Sequence, residues 1–175
     1  MATTQFTLIN SATVGSGGAS SVTFSSIPNT YTDLKVLMSV RTSWGNIGDW
    51  GSVRFNGDTG NNYSYLYAQG AGTSTVYSIA TNGNHAEISA GWAAVSSTSG
   101  VFSNTELYIP NYTSSNTKSF SGDTVEENNS STAWMNIEAL LWNNTAAINS
   151  ITLASANGAT IQQYSTFYLY GIKNS

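Results

Sequence analysis

The sequence contains one histidine, His85, which is the first candidate for a catalytic residue of a hydrolase. It lies in a segment of turn-forming residues at positions 82–87. A hydrolase would need a nucleophile and an orienting carboxylate that converge on this imidazole. Serine is abundant, but no Gly-x-Ser-x-Gly motif occurs in the sequence. We therefore predict an exposed loop histidine and a protein that is not an enzyme.

Carboxylates offer a second kind of chemistry, because a pair of them can cleave a glycosidic bond. The only adjacent pair is Glu126 and Glu127, within a segment at residues 123–129 that we interpret as a polar loop. This loop and the one at residues 56–62 carry oxygen ligands of the kind that Ca²⁺ takes. Neither has the EF-hand spacing, and turn formation alone calls for Asn, Asp and Gly. We predict no cofactor and no metal, with Ca²⁺ as the alternative.

Exposed aromatic rings offer a third possibility, since they can stack on sugars. The candidates for contact with a glycan or a host surface are Trp44, Trp50, Tyr63, Tyr65 and Tyr67. Packing in a core or a subunit interface is the commoner fate of such rings.

The elements that must position these residues are β-strands. Apolar side chains alternate with polar ones at period two in most segments, as at Leu34, Val36, Met38 and Val40. The candidate strands are residues 6–10, 21–25, 34–41, 52–55, 63–67, 75–79, 87–92, 102–109, 118–125, 133–142, 148–154 and 166–172. We expect about eight to eleven of them to form, with little or no helix. The predicted fold is a single antiparallel β-sandwich domain over residues 1–175, jelly-roll-like, with residues 1–4 as an extended N-terminal segment.

The segment at residues 133–142 is apolar on two faces. Met135, Ile137, Ala139 and Leu141 share one face, and Trp134, Leu140 and Trp142 the other. Such a strand is either covered on both sides or has one face in a subunit contact. The residues that we predict for packing or for contact are Trp134, Leu140, Trp142, Tyr168 and Tyr170.

The low content of charged residues indicates which kinds of partner the protein can bind. Only 8% of the residues are charged, whereas 27 Ser, 22 Thr and 19 Asn supply neutral polarity. The net charge is −4 and no basic tract occurs, which argues against nucleic-acid binding. No apolar run reaches the roughly 20 residues of a membrane span. A neutral surface rich in Tyr and Trp suits permanent contacts, so we expect a symmetric homo-oligomer, with a trimer favoured.

Five stretches together resemble a family of small structural proteins of tailed bacteriophages, and the resemblance spans residues 26–172. They are Ser-Ile-Pro-Asn-Thr-Tyr-Thr-Asp-Leu at 26–34, Phe-Asn-Gly-Asp-Thr-Gly-Asn-Asn-Tyr-Ser at 55–64, Ile-Pro-Asn-Tyr-Thr at 109–113, Leu-Trp-Asn-Asn-Thr-Ala-Ala-Ile at 141–148 and Ser-Thr-Phe-Tyr-Leu-Tyr-Gly-Ile at 165–172. These are turn and strand signatures, so the resemblance carries over no catalytic residue.

The resemblance implies a β-sandwich component of the virion, displayed on the head or the tail and often oligomeric. We expect a capsid decoration or cement protein that contacts itself and other virion proteins, such as the major capsid or tail proteins. A receptor- or glycan-binding module on the tail or fibre is the alternative. No signal peptide precedes the first predicted strand, so we expect synthesis in the host cytoplasm.

Overall fold

The computed structural model describes residues 5–173, which form twelve β-strands and no helix. Two antiparallel sheets pack together around the apolar core, and this confirms the predicted all-β sandwich. The strand count exceeds the expected eight to eleven because each of the twelve candidate segments forms a strand of its own. The extended segment predicted at residues 1–4 lies outside the described residues.

The strands are numbered here in chain order. They are β1 (Gln5–Thr13), β2 (Ser21–Phe24), β3 (Asp33–Val40), β4 (Gly48–Phe55), β5 (Tyr63–Ala71), β6 (Ser74–Gly83), β7 (Ala86–Ala93), β8 (Ser103–Ile109), β9 (Lys118–Glu126), β10 (Trp134–Trp142), β11 (Ile151–Ser155) and β12 (Thr166–Lys173). The larger sheet has the order β1-β12-β3-β8-β9-β10-β5-β6, and the smaller has the order β2-β11-β4-β7.

This order is a jelly roll with two insertions. Strands β1-β12-β3-β8 in one sheet and β2-β11-β4-β7 in the other have the arrangement of an eight-stranded jelly roll. The inserted pairs β5–β6 and β9–β10 add four strands to the larger sheet beyond β8. Strand β7 packs against β9, β10 and β5. The larger sheet therefore extends well past the smaller one on this side.

The core follows from the alternation along each strand. Leu34, Val36, Met38 and Val40 all point inward and none is more than 2% exposed, as the period-two pattern predicts. On the inserted side the core is aromatic. The Phe55 ring lies edge-on to Phe120 and to Trp142, with centroid separations of 5.1 and 5.5 Å. Such edge-to-face pairs add to the free energy gained by burial.

The turn at residues 56–62 is tied to this aromatic cluster through Asp58. One carboxylate oxygen accepts a hydrogen bond from the Gly60 N–H at 2.8 Å. The other accepts from the Asn62 amide at 2.9 Å and from the Trp142 indole N–H at 2.8 Å. These bonds, the one from Trp142 foremost, lower the pKa of Asp58. The Asp58 carboxylate thus links the β4–β5 turn to the inserted strand β10.

Candidate functional site

The outer face of the larger sheet is the side turned away from the smaller sheet, and the strand register aligns its side chains in rows. In one row Ile137 of β10 lies between Asp123 of β9 and Ala68 of β5, and Tyr77 of β6 follows. In the next row Ala139 lies beside Leu66, and Leu66 beside Ile79. Side chains from four strands therefore form one continuous surface.

This surface is strongly apolar. We define the outer apolar patch as six large side chains that are each between 41% and 74% exposed: Leu66, Tyr77, Ile79, Val125, Met135 and Ile137. Since a large apolar side chain has a surface of roughly 200 Å², six that are about half exposed present on the order of 600 Å². Monomeric soluble proteins seldom expose contiguous apolar patches above a few hundred Å². The outer apolar patch therefore has the properties of an interaction site.

Charge borders the patch without entering it. On the adjoining strands β3 and β8, Lys35 and Glu106 form an ion pair with an N–O distance of 2.5 Å. Asp123 lies beside Ile137 on β9. Strand β6 is the edge of the sheet on the side of the patch and contains no charged residue and no proline. Proteins commonly protect an open edge with such residues, so β6 lacks the usual barrier to pairing with another strand.

The five residues predicted for packing or contact divide between the two faces. Leu140 and Trp142 are buried in the core, at 2% and 1% exposure. Trp134 is half-buried, and its ring lies flat against Gly48, where a Cβ atom would come within 3.0 Å. Tyr168 and Tyr170 lie on the outer face, in rows with Leu37 and Lys35 of β3. The first three therefore serve packing, whereas the two tyrosines are available for contact.

The five aromatic residues considered for glycan contact line the inner side of the sandwich more than its surface. Tyr63 and Tyr67 are buried, while Trp44, Trp50 and Tyr65 are half-buried. The Tyr63 hydroxyl accepts a hydrogen bond from the Phe55 N–H at 2.9 Å, and burial raises its pKa to about 12. Tyr67 packs on Trp50 and on Tyr65. The structure therefore brings Trp50, Tyr65 and Tyr67 together as packing partners, whereas Tyr63 stacks on Trp142.

The residues considered for hydrolysis do not converge. His85 is half-buried between β6 and β7, and its Nδ1 lies 2.6 Å from the Asn84 side-chain oxygen. Burial, with the nearby Arg54 charge, lowers its pKa. Glu126 ends strand β9 and points inward to Ser97, at 2.6 Å, whereas Glu127 is exposed and accepts from the Asn129 N–H. The interpretation of residues 123–129 as a loop was therefore wrong for 123–126, because they continue the strand.

No group of three or more His, Asp or Glu side chains with the geometry of a metal site occurs among residues 5–173. In the loop at residues 56–62 both Asp58 oxygens already accept hydrogen bonds. The Asn56 side chain binds the Ala147 carbonyl and accepts from the N–H groups of Asn149 and Ser150. The Asn and Asp side chains of this loop thus satisfy backbone groups, and Ca²⁺ stays a prediction without a formed site.

A buried polar seam under strand β7 was not predicted. Glu138 of β10 is 1% exposed, and one oxygen accepts a hydrogen bond from the Ser89 N–H at 3.2 Å. The other oxygen has no partner and faces Gly122, where a Cβ atom would come within 2.5 Å. Burial above all, with the Asp123 charge adding to it, raises the pKa of Glu138 to about 8. Only the alternation of β10 could have indicated this residue, since it places Glu138 on the same face as Leu140.

Comparisons of the chain with family models, with curated proteins and with solved structures give no match. No helix that could span a membrane is found among the described residues.

The pKa of Glu138 leads to a prediction about stability. The folded state keeps this proton up to about pH 8, whereas the unfolded chain releases it near 4.5. The unfolded state therefore gains from ionisation between these values, and the free energy of unfolding falls as pH rises through this range. Glu138→Gln removes this contribution, so the variant should match the wild type near pH 4 and exceed it by about 4 kcal/mol at pH 8. Urea denaturation at several pH values measures the free energy of unfolding of the wild type and of the variant.

Glu127→Gln is the matched control, because this carboxylate is exposed. Its stability difference from the wild type should stay within about 0.5 kcal/mol across the same pH range. A parallel loss of stability in the wild type and in Glu138→Gln between pH 5 and pH 8 would contradict the assignment of that loss to Glu138.

Proposed function

We propose that this chain is a non-enzymatic structural protein of a bacteriophage particle, exposed on the virion and acting through contacts with other subunits. Decoration or cementing of the head is the proposed role, ahead of a position on the tail or fibre. The observation that carries the proposal is the outer apolar patch on strands β5, β6, β9 and β10. The proposed location on a virion rests on the resemblance of the sequence to small structural proteins of tailed phages.

The proposed occupant of the patch is a second copy of the same chain. Two patches packed together would remove on the order of 1,200 Å² from water, which is the lower end of the range for specific interfaces. The six residues of the patch are uncharged, and the one carboxylate beside them is Asp123, which is exposed next to Ile137. A contact that leaves Asp123 at its solvated rim avoids repulsion and costly desolvation. A patch that matches itself in this way is what a symmetric contact between identical subunits requires.

The free edge of β6 offers a different contact, which is the alternative to packing the two patches face to face. Antiparallel pairing of β6 with its copy would continue the larger sheet through a two-fold axis perpendicular to the sheet and satisfy the backbone groups on that edge, but the two outer apolar patches would then lie side by side and not cover each other. Both arrangements give a dimer, whereas the sequence favoured a trimer, and the mass of the complex distinguishes the dimer from the trimer. The neutral remainder of the surface is proposed to contact the major capsid or tail proteins.

Ile137 is the residue with which to test the patch. It lies at the centre of the patch and is 67% exposed, so a charge there should be tolerated by the fold but not by an apolar interface. Ile137→Glu should weaken self-association by at least tenfold, because a desolvated carboxylate beside Asp123 has no cation to pair with and costs well over 1.4 kcal/mol. Sedimentation velocity over a range of concentrations measures the association, and thermal unfolding confirms that the variant is folded.

Phe6→Glu is the control, because Phe6 lies on β1 at the opposite end of the same sheet and is 59% exposed. It should leave the association constant unchanged. A wild-type protein that stays monomeric at all concentrations, or equal effects of both variants, would refute a contact through the patch.

Localisation tests the virion part of the proposal. Particles purified on a density gradient from a culture that expresses the gene should contain the protein, and immunogold electron microscopy should place it on the head surface. Quantitative mass spectrometry of the same particles gives the copy number. Gold label confined to the tail would favour the tail or fibre alternative. Recovery of the protein only in the soluble lysate, and not in the purified particles, would overturn the proposal.

A further inference from the structure

Tyr164 has a backbone conformation that its side chain does not favour. Its φ is 73°, and the other five non-glycine residues with positive φ among residues 5–173 are four asparagines and one serine. It occupies the third position of a β-turn closed by a hydrogen bond from the Ser165 N–H to the Gln162 carbonyl at 3.2 Å. Glycine or asparagine normally supplies the positive φ there. A tyrosine in this position is strained, and strain of this kind is concentrated at functional sites.

The surrounding strands hold the turn in place. The Gln162 N–H donates to the Arg41 carbonyl at 2.8 Å, and the Tyr164 N–H donates to the Val14 carbonyl at 3.0 Å. The Ser165 hydroxyl is buried and accepts a hydrogen bond from the Arg41 N–H at 3.1 Å. These bonds fix the backbone on both sides of Tyr164, while its ring projects outward and is 68% exposed.

The ring borders an open depression of about 500 Å³. The turn at residues 16–18 and the loop at residues 99–100 form two of its walls, and Phe102 contributes a second aromatic ring. Gln162 and Gln163 also line it. Both are half-buried, and their side-chain amides make no hydrogen bond within residues 5–173. The depression therefore combines two free amides with two rings.

The one charged group that lines the depression is occupied by hydrogen bonds to the protein. Its only ionisable cation is Arg41, which is 8% exposed. The guanidinium donates to the carbonyls of Val101, Thr98, Ser97 and Val95, at 2.8, 3.0, 3.1 and 3.4 Å. Arg41 thus fixes the loop that forms one wall, and its four terminal N–H groups are engaged there and not available to an anionic ligand. No carboxylate lines the depression, so a cationic ligand finds no ionic partner.

From these observations we infer that the depression beside Tyr164 is a binding site for a neutral saccharide. The C–H face of a pyranose ring stacks on the exposed Tyr164 ring. The sugar hydroxyls exchange hydrogen bonds with the amides of Gln162 and Gln163, which can donate and accept. A wholly apolar ligand would leave these amides unpaired, and that loss disfavours it. The site lies on the loops between strands, away from the outer apolar patch, and does not depend on the contact proposed there.

Tyr164→Gly separates this role from a structural one. Glycine adopts positive φ without strain, so the variant should unfold about 3 °C higher than the wild type, while saccharide binding falls at least tenfold. Binding is measured by saturation-transfer difference NMR and by calorimetric titration with short oligosaccharides of glucose, galactose, mannose and N-acetylglucosamine. Gln163→Ala should also weaken binding by at least threefold, and Phe6→Ser, at the end of strand β1 that is remote from Tyr164, should leave it unchanged.

Three results would overturn the inference. The first is the absence of binding to any of the four sugars at millimolar concentration. The second is undiminished binding in Tyr164→Gly. The third is a uronic-acid oligosaccharide that binds more tightly than its neutral analogue, because this would mean that the Arg41 charge is available to the ligand.

Discussion

The structure depends on one geometric constraint, which is that successive side chains of strand β10 point to opposite faces of the larger sheet. Leu140 and Trp142 point inward to the aromatic core, and the Trp142 indole binds Asp58. The alternate residues of β10 point outward, so the apolar side chains Met135 and Ile137 are exposed. One strand therefore contributes both to the core and to the outer apolar patch, and neither face can change register without the other.

The inserted strands explain why that patch exists. A jelly roll is complete with the eight strands β1-β12-β3-β8 and β2-β11-β4-β7. Strands β5, β6, β9 and β10 widen one sheet and carry all six residues of the patch. They also end the sheet on β6, an edge without charge or proline. The widened sheet thus presents an apolar surface and an open edge together, which is the arrangement expected of a subunit that assembles with its copies.

Strands could be predicted from the sequence because alternation is a local property, and each of the twelve candidate segments forms a strand. Which face of a strand is covered could not be predicted, because it depends on strand order. Asp58 and Trp142 meet across 84 residues, and nothing local marks Tyr63 as buried beside them. The backbone conformation of Tyr164 could not be predicted from the sequence either, because the segment Gln-Gln-Tyr-Ser contains no glycine or asparagine to indicate a positive φ.

The most direct test of the central claim uses the absence of cysteine from the chain. A single thiol introduced by Ile137→Cys should react slowly with a maleimide when the protein is concentrated, and faster on dilution as the copies separate. A thiol introduced by Phe6→Cys should react at one rate throughout. If the thiol at position 137 reacts equally fast at every concentration, the outer apolar patch is not covered by a second copy.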